Sequence, residues 1–166
     1  MTDQPAVPQP AQGQQEADAG LFDPLAYCMG ESVGYLMAQA KNALSYEVEQ
    51  EVAALDITHA QGTCLMMLAT GRARTVTDLG RLLNSDMGSI TRLLSRMEKR
   101  GLIERHRSDA DRRIVDLSIT PAGHAVADAL PPIFCRVLNR RFRDFTRDEI
   151  ETFRGMLLRI IGNNSG

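Results

Sequence analysis

The sequence predicts a mainly α-helical fold carrying one small β-hairpin, and three observations predict it. Apolar residues recur at three- and four-residue steps along most of the chain, the spacing that gathers them on one helix face. That spacing gives way to alternation over residues 102–107 and 114–119, as in half-buried strands. The charges are also sorted. Residues 1–56 hold one basic and nine acidic side chains, whereas 72–113 hold eleven basic and six acidic. A basic middle in a chain of net charge −2 is the electrostatic footprint expected of a nucleic-acid-binding module, and charge alone fits a solvated helical face that uses Arg equally well.

The composition narrows the class. With 166 residues, 43% hydrophobic and 24% charged, the chain fits one ordinary globular domain or two small modules sharing a core. No apolar run approaches the roughly 18 residues of a membrane span. The start, MTDQPAVPQPAQGQQEADAG, has neither a basic end nor an apolar stretch, so no secretory leader is expected. Cys28, Cys64 and Cys135 lie far apart without metal-like spacing, which favours a reducing cytoplasm over a disulfide framework.

Residues 1–21, rich in Pro, Gln, Ala and Gly, read as a flexible tail that cannot bury enough apolar surface to offset ordering. From Pro24 onward Leu25, Met29, Val33, Leu36, Ala40, Leu44, Val48 and Val52 predict one long amphipathic helix within a segment 22–56. Residues 57–70, with Cys64, Leu65, Met66, Met67 and Leu68, predict a buried helix ended by Gly71. Thr75 opens a short third helix with Asp78 as an imperfect capping box, and Val76, Leu79, Leu82 and Leu83 facing inward. Asn84-Ser85-Asp86 is a turn, Ser85 or Asp86 capping a fourth helix that runs over 87–100, with Gly101 past its end.

That fourth helix divides in two. Ile90, Leu93, Leu94 and Met97 form a buried stripe, while Ser89, Arg92, Arg96 and Lys99 follow at steps of three, four and three on the opposite face. A short helix, a tight turn and a helix with an Arg-bearing outer face make a helix-turn-helix. The alternating segments that follow form a hairpin around the polar tip 108–112, so 57–119 reads as a winged helix-turn-helix. In the last region, 120–162, Thr120-Pro121 caps a helix that Pro131-Pro132 must bend or interrupt, and Thr146 with Glu149 caps a final one. Amphipathic helices at both ends point to a helical dimerisation region and a homodimer.

Ser89-Ile90-x-Arg92, Met97-Glu98, Gly101-Leu102-Ile103, Asp111-Arg112-Arg113 and Thr120-Pro121-Ala122-Gly123 together resemble the MarR family of bacterial transcription regulators. The helical order over about residues 22–162 is similar as well. Two positions depart from the family pattern. Gly80 stands in the short helix where members often have Ala, a local cost of about 0.5–1 kcal/mol. The wing lacks the Pro often found before Asp-Arg-Arg.

The resemblance implies a cytoplasmic homodimeric repressor on a pseudo-palindromic operator, released by a small effector, with no cofactor or metal. Its fourth helix would enter the major groove of double-stranded DNA. Ser89, Thr91 and Arg92 would face base edges and Arg96 and Lys99 phosphates. The plainer reading of Thr91 is a helix-internal hydroxyl, and of Arg92 a solvated charge. Arg112 and Arg113 would reach a minor groove, with Asp111 orienting one of them. His106 reads as a surface histidine. An aromatic, anionic effector would sit among Ser32, Tyr35, Gln39, His59 and Thr63.

Three other readings are weighed. Some relatives sense oxidants with a Cys near the start of the first helix, where Cys28 lies, although the peroxide-sensing subgroup typically has a Tyr four residues on, where this chain has Ser32. Cys64 reads as buried, and Cys135 as core or interface. An enzyme would need a constellation absent here: there is no Gly-rich phosphate loop and no HExxH, and the three His are dispersed. A winged-helix protein–protein adaptor would have no need of Arg on the recognition face.

Overall fold

The computed structural model describes residues 21–107 and 115–163. The expected tail, apart from Leu21, and the wing tip lie outside the described residues. The chain divides into two compact units, residues 1–41 and 42–166.

In the first unit the long helix starts later than its apolar spacing suggests. Leu25 and Met29 continue that spacing, yet they are exposed and precede the helix. Asp23 Oδ1 accepts from Leu25 N at 2.8 Å, holding a turn around Pro24, and Met29–Glu31 forms a single 3₁₀ turn. Ser32 Oγ accepts from Tyr35 N at 3.3 Å, so the helix begins after it, as α1 (Val33–Val52). A serine that serves the orphan N–H groups of the first turn fixes a helix start more firmly than apolar spacing extends it backward.

The second unit contains the end of α1 and all later elements. These are α2 (His59–Ala69), α3 (Val76–Leu82), α4 (Met87–Lys99), β1 (Ile103–Arg107), β2 (Val115–Ile119), α5 (Pro121–Arg141) and α6 (Arg147–Gly162). Asp56, in the left-handed conformation (φ 55°), closes the turn after α1. α2 starts at His59 rather than at Ile57, because Thr58 and Gln61 form a reciprocal capping box there. Ile57 packs into the core from outside the helix.

α2 lies at the centre. Cys64 and Leu65 are fully buried, and α2 packs against α5, α4 and β2. Leu130 and Val137 of α5, Ile90, Leu94 and Met97 of α4, and Ile103 of β1 close around it. Each such side chain contributes about 1.5–3 kcal/mol through burial. Leu82 was expected inside but is 42% exposed, since the seven-residue α3 turns only Leu79 and Gly80 fully inward.

The hairpin pairs Ile103 with Ile119 and Arg107 with Val115 in antiparallel register. Unforeseen in the sequence, β2 is also held to the segment before α3: Thr75 bridges Asp116, and Leu117 N donates to Arg74 O at 2.8 Å. α5 starts where expected, with Thr120 Oγ1 accepting from Gly123 N. Gly123 must be glycine, because a Cβ there would collide with the Leu102 carbonyl and Ile119. Pro131 and Pro132 do not interrupt α5. Both are exposed, while Leu130 and Ile133 beside them are buried, so core packing outweighs the lost backbone hydrogen bonds.

Where α1 leaves the first unit, Glu47 and Glu51 meet Arg136, Arg140 and Arg141 of α5 in a cluster of ion pairs. Hydrogen bonds from Arg136 and Arg140 hold the Glu51 carboxyl below its ordinary range. α6 has the expected Thr146–Glu149 capping box but no buried residue. Among the described residues no single helix is long and apolar enough to cross a membrane.

Candidate nucleic-acid interface

The turn between α3 and α4 is built from backbone demands. Asn84 takes a left-handed conformation (φ 46°), and Ser85 N reaches back to Gly80 O at 3.1 Å. The glycine is explained by the same turn: a Cβ on Gly80 would come within 3.1 Å of Met87 Sδ. Gly80 therefore makes room for the first side chain of α4. Thr75 and Asp78 form a complete capping box on α3.

Asp86 caps α4, its Oδ1 accepting from Ser89 N at 2.8 Å. The hydrogen bonds from Ser89, aided by the charge of Arg92, hold the Asp86 carboxyl below its ordinary range. α4 then runs to Lys99, with Arg100 as its C-cap and Gly101 (φ 68°) in the left-handed position that favours glycine.

α4 carries the four residues that spacing singled out, Ser89, Arg92, Arg96 and Lys99, and Thr91, which the resemblance added. Thr91, Arg92, Arg96 and Lys99 are exposed, whereas Ser89 is half-buried. Arg92 folds back along the helix, Nη2 donating to Ser89 Oγ at 3.0 Å, and Arg96 Nε donates to Arg92 O at 3.3 Å. Thr91 is exposed and its Oγ1 donates to Met87 O at 2.7 Å, which makes it the helix-internal hydroxyl of the plainer reading and occupies its proton. None of Arg92, Arg96 and Lys99 makes an ion pair with another described residue. Their charge is available.

The count of basic residues in the sequence overstated the free charge. Arg100 pairs with Asp56, 2.9 Å between Nη2 and Oδ2, and pins the end of α4 to the turn after α1. Arg105 pairs with Glu98, and Arg81 more loosely with Asp78 at 3.8 Å. Exposed Arg72, Arg74 and Arg107 were not singled out from the sequence; only the regional charge pointed to them. His106 is exposed on β1, 3.0 Å from Ser118 Oγ. Asp111, Arg112 and Arg113 lie outside the described residues.

The five residues expected at an effector site fall into two groups, one per unit. In the first, Gln39 Nε2 donates to Tyr35 Oη at 2.9 Å, and Tyr27 Oη donates to Ser32 Oγ at 3.3 Å. In the second, His59 N donates to Glu49 Oε2 at 2.6 Å, and Thr63 Oγ1 donates to His59 O at 3.0 Å. The His59 ring stands edge-on to Phe134. Of the cysteines, Cys28 and Cys135 are exposed, which excludes a core role for Cys135 within the chain. Burial pushes the Cys64 thiol up to about 12, so it carries no thiolate at neutral pH.

Known proteins share this arrangement. The MarR family profile matches residues 57–115, the stretch from the start of α2 to the second wing strand. The transcriptional regulator YdcH of Bacillus subtilis is 32% identical over 105 residues, covering 60% of this chain and 71% of its own length. The organic hydroperoxide resistance transcriptional regulator of the same organism is 34% identical over 89 residues, 54% of this chain and 60% of that protein. Among solved structures, a cysteine-to-serine mutant of Escherichia coli MarR complexed with operator DNA superposes with a TM-score of 0.72. It is 24% identical, covering 81% of this chain and 99% of that one. The helix-turn-helix, its hairpin and these likenesses agree, and the chain belongs to the MarR family of transcription regulators.

Proposed function

We propose that the chain is a homodimeric repressor that holds a pseudo-palindromic operator through α4 and its wing and is released by a small effector. The observation that carries this reading is the outer face of α4, where Arg92, Arg96 and Lys99 stand exposed, none of them in an ion pair with another described residue, beside Ser89 and Thr91. Arg92 is within reach of its own helix N-terminus, the part of a recognition helix that meets base edges, and a guanidinium matches the two acceptors of guanine. The Thr91 methyl suits a thymine methyl. Arg96 and Lys99, further along, hold phosphates. Arg112 and Arg113 would reach a flanking minor groove, with Asp111 orienting one of them.

Dimerisation is supported by apolar surface that stays exposed among the described residues. Phe153, Met156, Ile160 and Ile161 of α6 are between 42% and 69% exposed. Two-fold symmetry would place two recognition helices about one turn of DNA apart, which is why the operator is read as pseudo-palindromic. The effector reading, an aromatic acid near Ser32, Tyr35, Gln39, His59 and Thr63, works by differential affinity for the DNA-bound and released states.

The exposed Cys28 thiol favours a second reading, release by oxidation, which also fits the relative named for organic hydroperoxide resistance. The two are separated by challenging the DNA complex with aromatic acids and with peroxide, using wild type and Cys28→Ser. Release by peroxide that Cys28→Ser abolishes supports oxidation; release by an acid in both proteins supports the effector site.

The role of Arg92 is tested by binding of Arg92→Ala to cognate and scrambled duplexes. Loss of about 1–3 kcal/mol of discrimination is expected, and undiminished discrimination removes Arg92 from base reading.

A further inference from the structure

Arg105 stands on β1 opposite Leu117, yet its side chain turns to α4 and is only 23% exposed. Nη2 donates to Ser95 Oγ at 2.7 Å. Nε is buried and stands 3.1 Å from Glu98 Oε2, within ion-pair range though not aligned as a hydrogen bond. Ser95 and Glu98 are three residues apart on α4, so one planar guanidinium spans both. Ser95 Oγ in turn donates to Thr91 O at 2.9 Å, on the turn of α4 that carries Thr91 and Arg92.

We infer that Arg105 is a positioning residue: it braces the first wing strand against the recognition helix and fixes how far the wing stands from it. The inference rests on the DNA-binding reading above. A hairpin of two five-residue strands is marginal by itself and takes its direction from what its strands touch. β2 is tied by backbone to the Arg74–Thr75 segment. On the other edge, Arg105 ties β1 to α4. Lysine in its place keeps the charge but not the fork, and cannot grip two acceptors at once. The pair also offsets the charge of Glu98 at the end of the recognition helix. Arg105 is therefore no phosphate contact, although it belongs to the basic segment.

Ser95→Ala and Arg105→Lys test this without changing net charge, and Ser95→Thr restores the hydroxyl. The full-length proteins are titrated with two duplexes by fluorescence anisotropy. One carries the footprinted site with its flanks; the other is trimmed to the base pairs under the two recognition helices. Thermal melting is followed in parallel. Ser95→Ala and Arg105→Lys are expected to lose about three- to tenfold in affinity for the flanked duplex. On the trimmed duplex they match wild type, and Ser95→Thr matches it on both.

Equal losses on both duplexes, or losses that follow a lowered melting temperature, would make Arg105 a general structural residue and overturn the inference. Wild-type affinity of both variants for the flanked duplex overturns it too. If wild type itself binds neither duplex, the DNA-binding reading fails and this inference falls with it.

Discussion

α4 and α6 are helices of similar length and similar amphipathic design, and they differ in what covers them. Ile90, Leu94 and Met97 of α4 are at most 2% exposed, enclosed by α2, α3 and β1. Phe153, Met156, Ile160 and Ile161 of α6 remain between 42% and 69% exposed, with no residue of that helix buried. The winged-helix segment buries its own core; α6 presents an apolar face that the described residues leave largely exposed, apart from the Phe142 ring beside Phe153. The contrast separates a segment that buries its own apolar face from a helix that leaves one exposed, and it is on this exposed face that we propose the second copy docks.

The largest expected effect breaks the first half of the contrast. Leu94→Ala removes a fully buried side chain and is expected to cost about 2–5 kcal/mol in urea unfolding. A cost below about 1 kcal/mol would mean that α4 is not part of a close-packed core.

Phe153→Asp with Ile160→Asp addresses the other half. Light scattering is expected to show half the wild-type mass, with helical circular dichroism retained. Helical signal lost together with the mass would place α6 in the folding core instead.

The caps sharpen the comparison more gently. Ser89 holds the Asp86 carboxyl, and Thr146 the Glu149 carboxyl, below their ordinary values of 3.8 and 4.5. A carboxyl depressed in the folded state gives stability that is fully present above its unfolded pKa. That stability is lost as pH falls through the lower folded value. Both helices should therefore loosen only under acid, below about pH 4. Asp86→Asn keeps a capping oxygen and removes the titration, so its stability should depend less on pH there than that of wild type. Identical acid unfolding curves would contradict this.

Gly80→Ala is the smallest. Helix propensity favours Ala by about 0.5–1 kcal/mol, and the opposing contact is the flexible end of the exposed Met87 side chain. A small gain in melting temperature is expected; a loss would show that Met87 cannot yield.

Much of this was legible in the sequence where the signal is local. Asp86, the stripe Ile90–Leu94–Met97 and Gly101 lie within one helix, so its limits and its two faces followed from spacing alone. The late start of α1 did not, because apolar periodicity runs on through Leu25 and Met29 and says nothing about the turns at Asp23 and Ser32. Non-local contacts were hidden as well. Nothing near Gly123 announces the Leu102 carbonyl, and nothing near Thr75 announces its pairing with Asp116. Spacing placed Ser89, Arg92, Arg96 and Lys99 on one face, and the family resemblance added Thr91, but neither showed which neighbouring arginines were already paired. Arg100 and Arg105 counted as free charge until Asp56, Ser95 and Glu98 were found beside them. The effector residues come from separate units of the chain, and local pattern carries no information on such a grouping.

The central claim is that the open cations of α4 bind DNA with sequence preference. Fluorescence anisotropy with a duplex from the intergenic DNA beside the gene, against a scrambled duplex and across several salt concentrations, tests it most directly. Tighter binding to the intergenic duplex is expected, weakening steeply as salt rises, with a slope lowered by about one for Lys99→Ala. No binding to either duplex at low salt would contradict the account and turn the outer face of α4 toward a protein partner.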